Sequence, residues 1–217
     1  MFTGIVAAVG RIEETTSHGD GLRLAITPGT LDVSDIGIGD SVAVNGCCLT
    51  VVAREAGPAA TRLDFDVSAE TLRCTVGLDA PGEVNLEKAL RLADRLGGHL
   101  MTGHVDGVGT VVAFDEVEMG SGPISNPDAA PDAASRSWRL EIEAPAALAR
   151  FIAAKGSIAV QGVSLTVNGV DGPRFHVNLI PHTLEVTTLK ALAPGARVNL
   201  EVDLVARYVE RLSSSAL

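Results

Sequence analysis

The chain has 217 residues, of which 46% are hydrophobic and 20% are charged, a balance that allows one large or two small folded domains and excludes a disordered chain. Its 27 acidic side chains outnumber 17 basic ones, for a formal net charge of −10, which argues against nucleic acid as a partner because phosphate backbones attract clustered Lys and Arg. No apolar run reaches the roughly 18 residues that cross a bilayer, so no membrane partner is expected.

The N-terminus and the cysteines indicate the compartment. The opening MFTGIVAAVGRIEE has no basic stretch ahead of a long apolar run, so a secretory signal is not expected. Cys47, Cys48 and Cys74 are odd in number and form no CxxC pair. This pattern argues against a disulfide framework and against a zinc site. We therefore expect a cytoplasmic protein without a bound metal.

Five segments alternate apolar with small or polar residues, the pattern of a half-buried strand. In chain order they are Ser41 to Val44, Leu63 to Val67, Trp138 to Ile142, Ser157 to Val160 and Arg174 to Leu179. Turn-forming Gly, Pro and Asp residues separate short strands at intervals that are typical of a small barrel.

Two other stretches have apolar residues at helical spacing. Leu86 to Leu96 ends in Gly97-Gly98, which predicts a short connecting helix with a glycine stop. The tail from Asp203 to Leu212 predicts a helix whose apolar face carries Leu204, Val205, Tyr208, Val209 and Leu212. Such a face needs a surface to cover it, and both packing on its own barrel and a contact between subunits remain open. Between these stretches, the Gly-, Pro- and Ser-rich segment from Met119 to Ser137 predicts a mobile loop.

The chain contains two copies of one sequence. MFTGIVAAVGRI (1–12) returns as LMTGHVDGVGTV (100–111), VNGCCLTVV (44–52) as VQGVSLTVN (160–168), and GEVNLE (82–87) as ARVNLE (196–201). Phe65-Asp66-Val67 and then Glu70-Thr71-Leu72 return as Phe175-His176-Val177 and then His182-Thr183-Leu184. The spacing between copies drifts along the chain, which places insertions and deletions in surface loops. The sequence therefore predicts a tandem duplication.

The same blocks carry a resemblance to a known family. MFTGIV, NGCCLTV, GGHLMTGHVDG, GVSLTVN, NLIPHTLEVTTL and VNLEVDLVARYVERL, in this order, resemble the riboflavin synthase alpha-chain family of lumazine-binding tandem-repeat proteins. The similarity covers almost the whole chain and fails only between Met119 and Ser137. It implies an all-β fold, with two homologous six-stranded antiparallel Greek-key barrels in tandem plus a C-terminal α-helix. The implied domains are an N-terminal lumazine-binding barrel (1–97), a C-terminal lumazine-binding barrel (98–202) and a helix for trimer contact (203–217).

The resemblance also implies a reaction and its partners. Two molecules of 6,7-dimethyl-8-ribityllumazine exchange a four-carbon unit, so that one becomes riboflavin and the other 5-amino-6-ribitylaminouracil. No metal or organic cofactor is implied. The implied assembly is a homotrimer whose active site lies between chains, and lumazine synthase is a candidate for association. Two pockets, one per repeat, suit a reaction whose donor and acceptor are the same compound.

The family's ligand contacts transfer to matched positions in two groups. The N-terminal pocket would use Gly4, Ile5, Val6, Cys48, Leu49, Thr50, Asp66, Val67, Ser68, Ala69, Glu70 and Thr71. The C-terminal pocket would use Gly103, His104, Val105, Lys155, Ser164, Leu165, Thr166, Asn178, Leu179, Ile180, Pro181, His182 and Thr183. Backbone beside glycine suits a flat heteroaromatic ring, because no side chain prevents its approach.

The catalytic candidates are Cys48, His104, Ser164 and Thr166. Thr50 and Thr166 lie two residues after Cys48 and Ser164, so in a strand each pair shares one face; alternatively these Thr residues simply suit a strand. Cys48 is interpreted as a polar wall of the pocket, with a nucleophile and an inert buried thiol as alternatives.

His104 is the candidate for proton transfer, because imidazole titrates near working pH. His99 lies five residues earlier and would face the opposite side of a strand, which weakens a metal-pair interpretation. Lys155 is either a donor to the ligand or an exposed lysine at a turn. Where many relatives have an acidic residue the chain has Gln161, so no carboxylate role transfers to that position. Asp203 is either an interface residue or a helix N-cap.

Two rival functions differ in class. A lumazine- or flavin-binding antenna protein would share the barrels without catalysis, but such relatives tend to lose second-pocket residues that this chain keeps in SLTV, GGHLMTGH and NLIPHT. A flavin reductase-like barrel would need a Gly-rich strand-to-helix turn, and no helix is predicted after Gly103 to Gly109. The enzyme is therefore the preferred hypothesis.

Overall fold

The computed structural model describes residues 1–56, 61–118 and 136–214. The loop predicted from Met119 to Ser137 lies outside these ranges except for Arg136 and Ser137, which begin a strand. Within the described ranges, nearly all regular structure is antiparallel strand, as the alternation in the sequence predicts.

The first barrel is a closed sheet of six strands. Its elements are β1 (Ala8–His18), β2 (Gly21–Thr27), β3 (Ser41–Val44), β4 (Cys47–Ala56), β5 (Thr61–Val67), the helix α1 (Ala69–Cys74) and β6 (Gly82–Lys88). The strand order is β1-β2-β5-β4-β3-β6, and β6 pairs with β1 to close the sheet. The neighbours β2 and β5 are not consecutive in the chain, which is the Greek-key crossing.

The second barrel repeats this topology. Its elements are β7 (Gly107–Glu118), β8 (Arg136–Glu143), a 3₁₀ helix (Ala146–Phe151), β9 (Ser157–Val160), β10 (Val163–Asp171), β11 (Arg174–Leu179), the helix α2 (Pro181–Val186), a 3₁₀ helix (Thr188–Ala191) and β12 (Arg197–Val202). β7 pairs with β8 and β12, and β11 lies between β8 and β10. The predicted pair of six-stranded antiparallel barrels is confirmed.

Each barrel encloses its own apolar core, because alternate side chains of its strands point inward. Phe65 is fully buried in the first core and Phe175 in the second. Both repeats also keep β-bulges at matching positions, after Val51 in β4 and after Val167 in β10. A bulge bends a strand and increases its twist, which helps so small a sheet to close.

The predicted match of Phe65 with Phe175 is wrong. In the first barrel Phe65 pairs with Val51, whereas in the second Val177 pairs with Val167, the counterpart of Val51. Val177 is therefore the structural counterpart of Phe65, and Phe175 lies two residues earlier on its strand. A shift of two residues preserves which face a side chain occupies, so similarity of type alone could not reveal the error.

The predicted connecting helix from Leu86 to Leu96 is also wrong. Leu86 belongs to β6 and pairs with Ala8 of β1. The first apolar residue of the predicted helix is therefore part of a strand. Leu92 is fully exposed, and the segment that follows β6 is a turn in which the Asp94 carboxylate accepts a hydrogen bond from the Arg91 N–H (2.9 Å). Pairing within the barrel outweighs a weak local helical pattern.

The predicted C-terminal helix is present as α3 (Leu204–Ser214). Ion pairs of Arg207 with Asp106 and of Glu210 with Arg150 tie it to the second barrel. Its apolar face nevertheless points to solvent, with Val205, Tyr208, Val209 and Leu212 all more than half exposed. Its own barrel therefore leaves most of this face uncovered. None of the helices in the described ranges could reach across a membrane as an apolar span.

Matching asparagines in the last strand of each barrel join the two barrels. Asn85 of β6 donates from Nδ2 to the Gln161 carbonyl (2.9 Å), and its Oδ1 accepts from the Thr188 N–H (2.8 Å). Asn199 of β12 makes the reciprocal contacts with the Asn45 carbonyl (3.1 Å) and the Val76 N–H (2.8 Å). Because both asparagines are buried, breaking these bonds would leave polar groups unpaired at the joint.

Two glycines meet where the barrels touch. Gly46 has a φ of +81°, and a Cβ on it would lie 2.8 Å from the backbone nitrogen of Gly162. The β3–β4 turn can therefore approach the β9–β10 turn only without a side chain at this position.

We expect Gly46→Ala to lower the free energy of unfolding by about 3 kcal/mol, from left-handed backbone strain and overpacking together. Gly195→Ala is the matched control, because Gly195 has a similar φ of +88° and no neighbour within 4 Å of the added Cβ. The control should lose only about 1 kcal/mol. Urea unfolding measures both losses, and equal values would contradict close packing at the joint.

Candidate functional site

The segment before β1 crosses from the first barrel to the second. The Gly4 carbonyl accepts a hydrogen bond from the Ser164 N–H of β10 (2.8 Å). Val6 packs against the second apolar core. Phe2 forms an antiparallel bridge with Met101, and the two exchange backbone hydrogen bonds of 2.9 and 3.0 Å. The N-terminus therefore forms part of the wall of the second barrel.

The segment before β7 makes the reciprocal crossing. The Gly103 carbonyl accepts from the Cys48 N–H of β4 (2.8 Å), and Val105 packs against the first core. A Cβ on Gly103 would lie 2.6 Å from the Cys48 Cβ, and one on Gly4 would lie 2.5 Å from the Ser164 Cβ. Both contacts therefore require glycine.

These crossings correct the grouping of site residues expected from the family resemblance. Gly4, Ile5 and Val6 were expected beside Cys48, but Gly4 contacts Ser164. Gly103, His104 and Val105 were expected in the second pocket, but they border the first. Because the two segments have nearly the same sequence, similarity alone could not decide which barrel each one serves.

The first pocket is a cavity of about 210 Å³. Its lining residues are Cys47, Cys48, Glu70, Thr71, Cys74, Thr75, Gly103, His104 and Val105. Ser68 caps α1 by accepting a hydrogen bond from the Thr71 N–H (3.1 Å), which places Thr71 at the pocket wall. Burial raises the pKa of the Cys47 thiol to about 12, so Cys47 is a neutral wall residue. Cys48 is only partly buried and lies beside the exposed His104.

Ser164 occupies the position of Cys48 in the second barrel. Its hydroxyl lies 2.7 Å from Nδ1 of His99, which is 8% exposed. Burial lowers the pKa of His99, and the charge of Asp203 acts in the opposite direction. Nε2 of His99 is buried without a hydrogen-bond partner in the described part of the chain. The structure therefore places a neutral imidazole against the Ser164 hydroxyl.

Other predicted contacts divide by exposure. Thr50 and Thr166 are exposed on the same strand faces as Cys48 and Ser164, as their spacing predicts. The side chains of Leu49, Leu165, Val67 and Leu179 instead lie in the barrel cores, so only their backbone is available.

The remaining predicted contacts lie toward the rims of the barrels. Asp66 forms a two-point ion pair with Arg23 (2.7 and 2.8 Å), whose guanidinium lowers the pKa of the Asp66 carboxyl. Lys155 is exposed in a turn with a φ of +68°. Asn178, Ile180 and His182 follow along β11 and into α2, so the chain brings them to one end of the second barrel. In the described ranges no three His, Cys, Asp or Glu residues cluster as metal ligands would.

Two buried carboxylates support the crossings and were missed by the sequence analysis. Glu87 accepts hydrogen bonds from the Thr3 N–H and hydroxyl (2.7 Å each) and from the Gly4 N–H (2.9 Å). Glu201 accepts the same three from Thr102 and Gly103 (2.7, 2.7 and 3.0 Å). Burial raises the pKa of both carboxyl groups, while these donors act in the opposite direction. The available signal was the same Val-Asn-Leu-Glu repeated in the last strand of each barrel.

The comparisons with known proteins agree on one family. The lumazine binding domain model matches residues 3–89 and 102–203. A protein named riboflavin synthase from Mycobacterium tuberculosis is 46% identical over the full length of both chains. A riboflavin synthase from Photobacterium phosphoreum is 40% identical and covers 98% of this chain and 88% of its own.

Solved structures give the same result. LumP complexed with riboflavin aligns with a TM-score of 0.74 at 27% identity, over 93% of this chain and 99% of LumP. LumP complexed with 6,7-dimethyl-8-(1'-D-ribityl) lumazine aligns with a TM-score of 0.72 at 26% identity, with the same coverage.

The buried imidazole generates a pH-dependence prediction. Because the folded protein holds His99 below its usual pKa of about 6.5, the unfolded chain binds the proton more readily. Acid should therefore destabilise the wild type relative to His99→Gln as the pH falls below about 6.5, by up to about 1.4 kcal/mol per pH unit.

Urea unfolding of the wild type and His99→Gln at several pH values measures this difference. His18→Gln removes an exposed imidazole and is the matched control. Acid should lower the stability of the wild type more in the comparison with His99→Gln than in the comparison with His18→Gln. Equal losses in the two comparisons would contradict a neutral, buried His99.

Proposed function

The chain belongs to the lumazine-binding domain family, and on that premise we propose that it is a riboflavin synthase. It transfers a four-carbon unit between two molecules of 6,7-dimethyl-8-ribityllumazine, which yields riboflavin and 5-amino-6-ribitylaminouracil. The observation that carries this proposal is 46% identity with a named riboflavin synthase over the whole of both chains. The enzyme is a transferase.

The structure supports a dismutation of two identical substrates. In each of two homologous barrels a glycine segment that crosses from the other barrel is bound to the strand of Cys48 or Ser164, an arrangement that would give one chain two related substrate sites. Holding two reactants in a fixed geometry can replace about 7 to 11 kcal/mol of the barrier of a bimolecular reaction. Positioning can therefore account for much of the rate.

The two pockets differ in chemistry, as unequal donor and acceptor roles require. The first pocket has the thiol of Cys48 beside the imidazole of His104. At the equivalent positions, the second has the Ser164 hydroxyl and the side chain of Ile5. We assign His104 to proton transfer at the C7 methyl group of a bound lumazine, since imidazole can hold and release a proton near neutral pH.

The other assigned residues position the ligand. Cys48, Ser164 and Thr166 are polar contacts at the pockets, and Lys155 donates to a pyrimidine carbonyl or a ribityl hydroxyl. Backbone groups of residues 4–6, 103–105 and 178–183 pair with the ring system. These assignments rest on exposure, on the crossing contacts and on the matched family positions.

We further propose that the active enzyme is a cytoplasmic homotrimer. The exposed face of α3 needs a covering surface. Ile5 and Ile180, two of the matched family contacts, are each 51% exposed apolar side chains that a second chain could also cover. The first barrel of one chain facing the second barrel of another would close both pockets around two lumazines. Lumazine synthase, which would supply the substrate, is a proposed partner.

The second candidate function is ligand binding without catalysis. Its support is the structural similarity to LumP, whose solved complexes contain riboflavin and the lumazine. The higher identity to named riboflavin synthases favours the enzyme.

The deciding experiment supplies the purified protein with 6,7-dimethyl-8-ribityllumazine alone and follows riboflavin by absorbance. We expect riboflavin to form at half the rate at which lumazine disappears, because two substrates give one riboflavin. Lumazine binding without riboflavin formation would establish the binding-protein alternative.

If α3 forms the trimer contact, a charged side chain on its apolar face should disrupt assembly and activity. Val209→Asp should dissociate the assembly and lower activity by about tenfold or more, because it places a carboxylate in an apolar contact. Val170→Asp is the matched control, since Val170 is similarly exposed (46% against 57%) on β10 of the second barrel. Analytical ultracentrifugation and the riboflavin assay measure both effects. A monomeric wild type with full activity would contradict the inter-chain site.

A further inference from the structure

We propose that Glu87 and Glu201 are positioning residues, each of which sets the geometry of the pocket in the opposite barrel. The proposal rests on the proposed function, because the segments that these carboxylates hold contact Cys48 and Ser164, which that function assigns to the substrate pockets. Neither carboxylate borders Cys48, His104 or Ser164 directly. Each acts through the segment that crosses between barrels.

The hydrogen bonds of the two carboxylates are symmetric. Glu87 lies in β6 and Glu201 in β12, at equivalent positions in the last strand of each barrel. Each is less than 10% exposed and accepts hydrogen bonds from two backbone N–H groups and one Thr hydroxyl. A buried carboxylate is costly unless its oxygens are satisfied. Its retention in both copies therefore requires a role that an apolar residue could not fill.

The glycines that donate to the carboxylates also bind the opposite barrel. The Gly4 N–H donates to Glu87 of the first barrel, and the Gly4 carbonyl accepts from Ser164 of the second. The Gly103 N–H likewise donates to Glu201 of the second barrel, and its carbonyl accepts from Cys48 of the first. One glycine residue, through its N–H and its carbonyl, thus links the carboxylate of one barrel to the pocket strand of the other.

The glycine segments pack closely against the pocket strands. An added Cβ on either glycine would come within 2.6 Å of a pocket side chain, so the segments lie in van der Waals contact with Ser164 and Cys48. A shift of about 1 Å in a positioned group can lower a rate a hundredfold. The Thr3 hydroxyl also accepts from the Ile5 N–H (3.2 Å), and the Thr102 hydroxyl from the His104 N–H (3.3 Å). Through Thr3 and Thr102, the carboxylates therefore set the backbone direction at Ile5 and His104.

Each carboxylate should therefore affect the pocket of the opposite barrel. Loss of Glu87 should loosen the segment at Ser164 in the second pocket, and loss of Glu201 should loosen the segment at Cys48 in the first. A residue that merely stabilised its own barrel would affect its own pocket or both equally. This asymmetry makes the proposal testable without assuming which pocket binds the donor.

The test compares Glu87→Gln and Glu201→Gln, which keep the side-chain shape. In each variant an amide N–H₂ group replaces one carboxylate oxygen and cannot accept the hydrogen bond of the backbone N–H that faces it. Glu83→Gln is the matched control, because Glu83 is an exposed residue of the same strand as Glu87. The reporters are thiols on the two pocket strands, native Cys48 and, in a second series, Ser164→Cys. Alkylation by N-ethylmaleimide at each site is followed by mass spectrometry, and the neighbouring Cys47 is buried with its thiol pKa raised to about 12.

We expect Glu201→Gln to raise the alkylation rate of Cys48 about tenfold, because loss of a charged hydrogen bond shifts a local equilibrium by roughly ten. The same variant should change the alkylation rate at Ser164→Cys less than about twofold. Glu87→Gln should show the reverse pattern, and Glu83→Gln should change neither rate. Acceleration of the reporter in the same barrel, of both reporters equally, or of neither would overturn the proposal.

Milder variants cover a failure to fold. Thr3→Val and Thr102→Val each remove one donor and leave both carboxylates in place, and they should reproduce the crossed pattern at a few-fold amplitude. Steady-state assays should also show that kcat falls more than KM rises in both Glu variants. If the wild type forms no riboflavin, the proposed function fails, but the alkylation rates still decide whether the carboxylates position the opposite pockets.

Discussion

The reciprocal exchange of two short segments is the constraint on which the rest of the structure depends. The N-terminal segment is bound to Ser164 of the second barrel, and the segment before β7 is bound to Cys48 of the first. Each barrel is thus bordered by a segment that leads into the other barrel. The Phe2–Met101 bridge joins these two segments to each other. The matched asparagines at the joint and the close approach of Gly46 to Gly162 follow from the same pseudo-twofold arrangement. The two barrels are therefore joined into one structural unit.

This exchange explains how a duplicated chain acquires two unlike pockets from nearly identical parts. His104 has Ile5 as its counterpart, so crossing places an imidazole at the first pocket and an aliphatic side chain at the second. Cys48 and Ser164 also differ, and Nδ1 of the buried His99 lies 2.7 Å from the Ser164 hydroxyl. The first pocket has a thiol beside an imidazole, while the second barrel presents the Ser164 hydroxyl 2.7 Å from the buried imidazole of His99. A reaction between two copies of one compound needs this inequality.

Much of the fold could be predicted because strands and apolar stripes are local patterns. Ser41 to Val44 and Ser157 to Val160 alternate clearly and form β3 and β9 with the predicted bounds. Predictions failed where a long-range contact outweighed a local one. Leu86 was expected in a helix, but its pairing with Ala8 places it in β6. Phe175 was matched to Phe65 by type, whereas the ladder assigns that position to Val177.

The sequence by itself determined the duplication, the strands of each copy, the amphipathic α3 and the family, because each of these is encoded in the order and spacing of nearby residues. Only the tertiary structure decided which barrel each glycine segment serves, and with it the roles of Glu87, Glu201 and His99. The physical reason is that the two segments are nearly the same in sequence, so each could pair with either barrel as far as residue type can show. The choice depends on contacts between residues far apart in the chain, such as Gly4 with Ser164 and Gly103 with Cys48, and such contacts exist only once both barrels have closed.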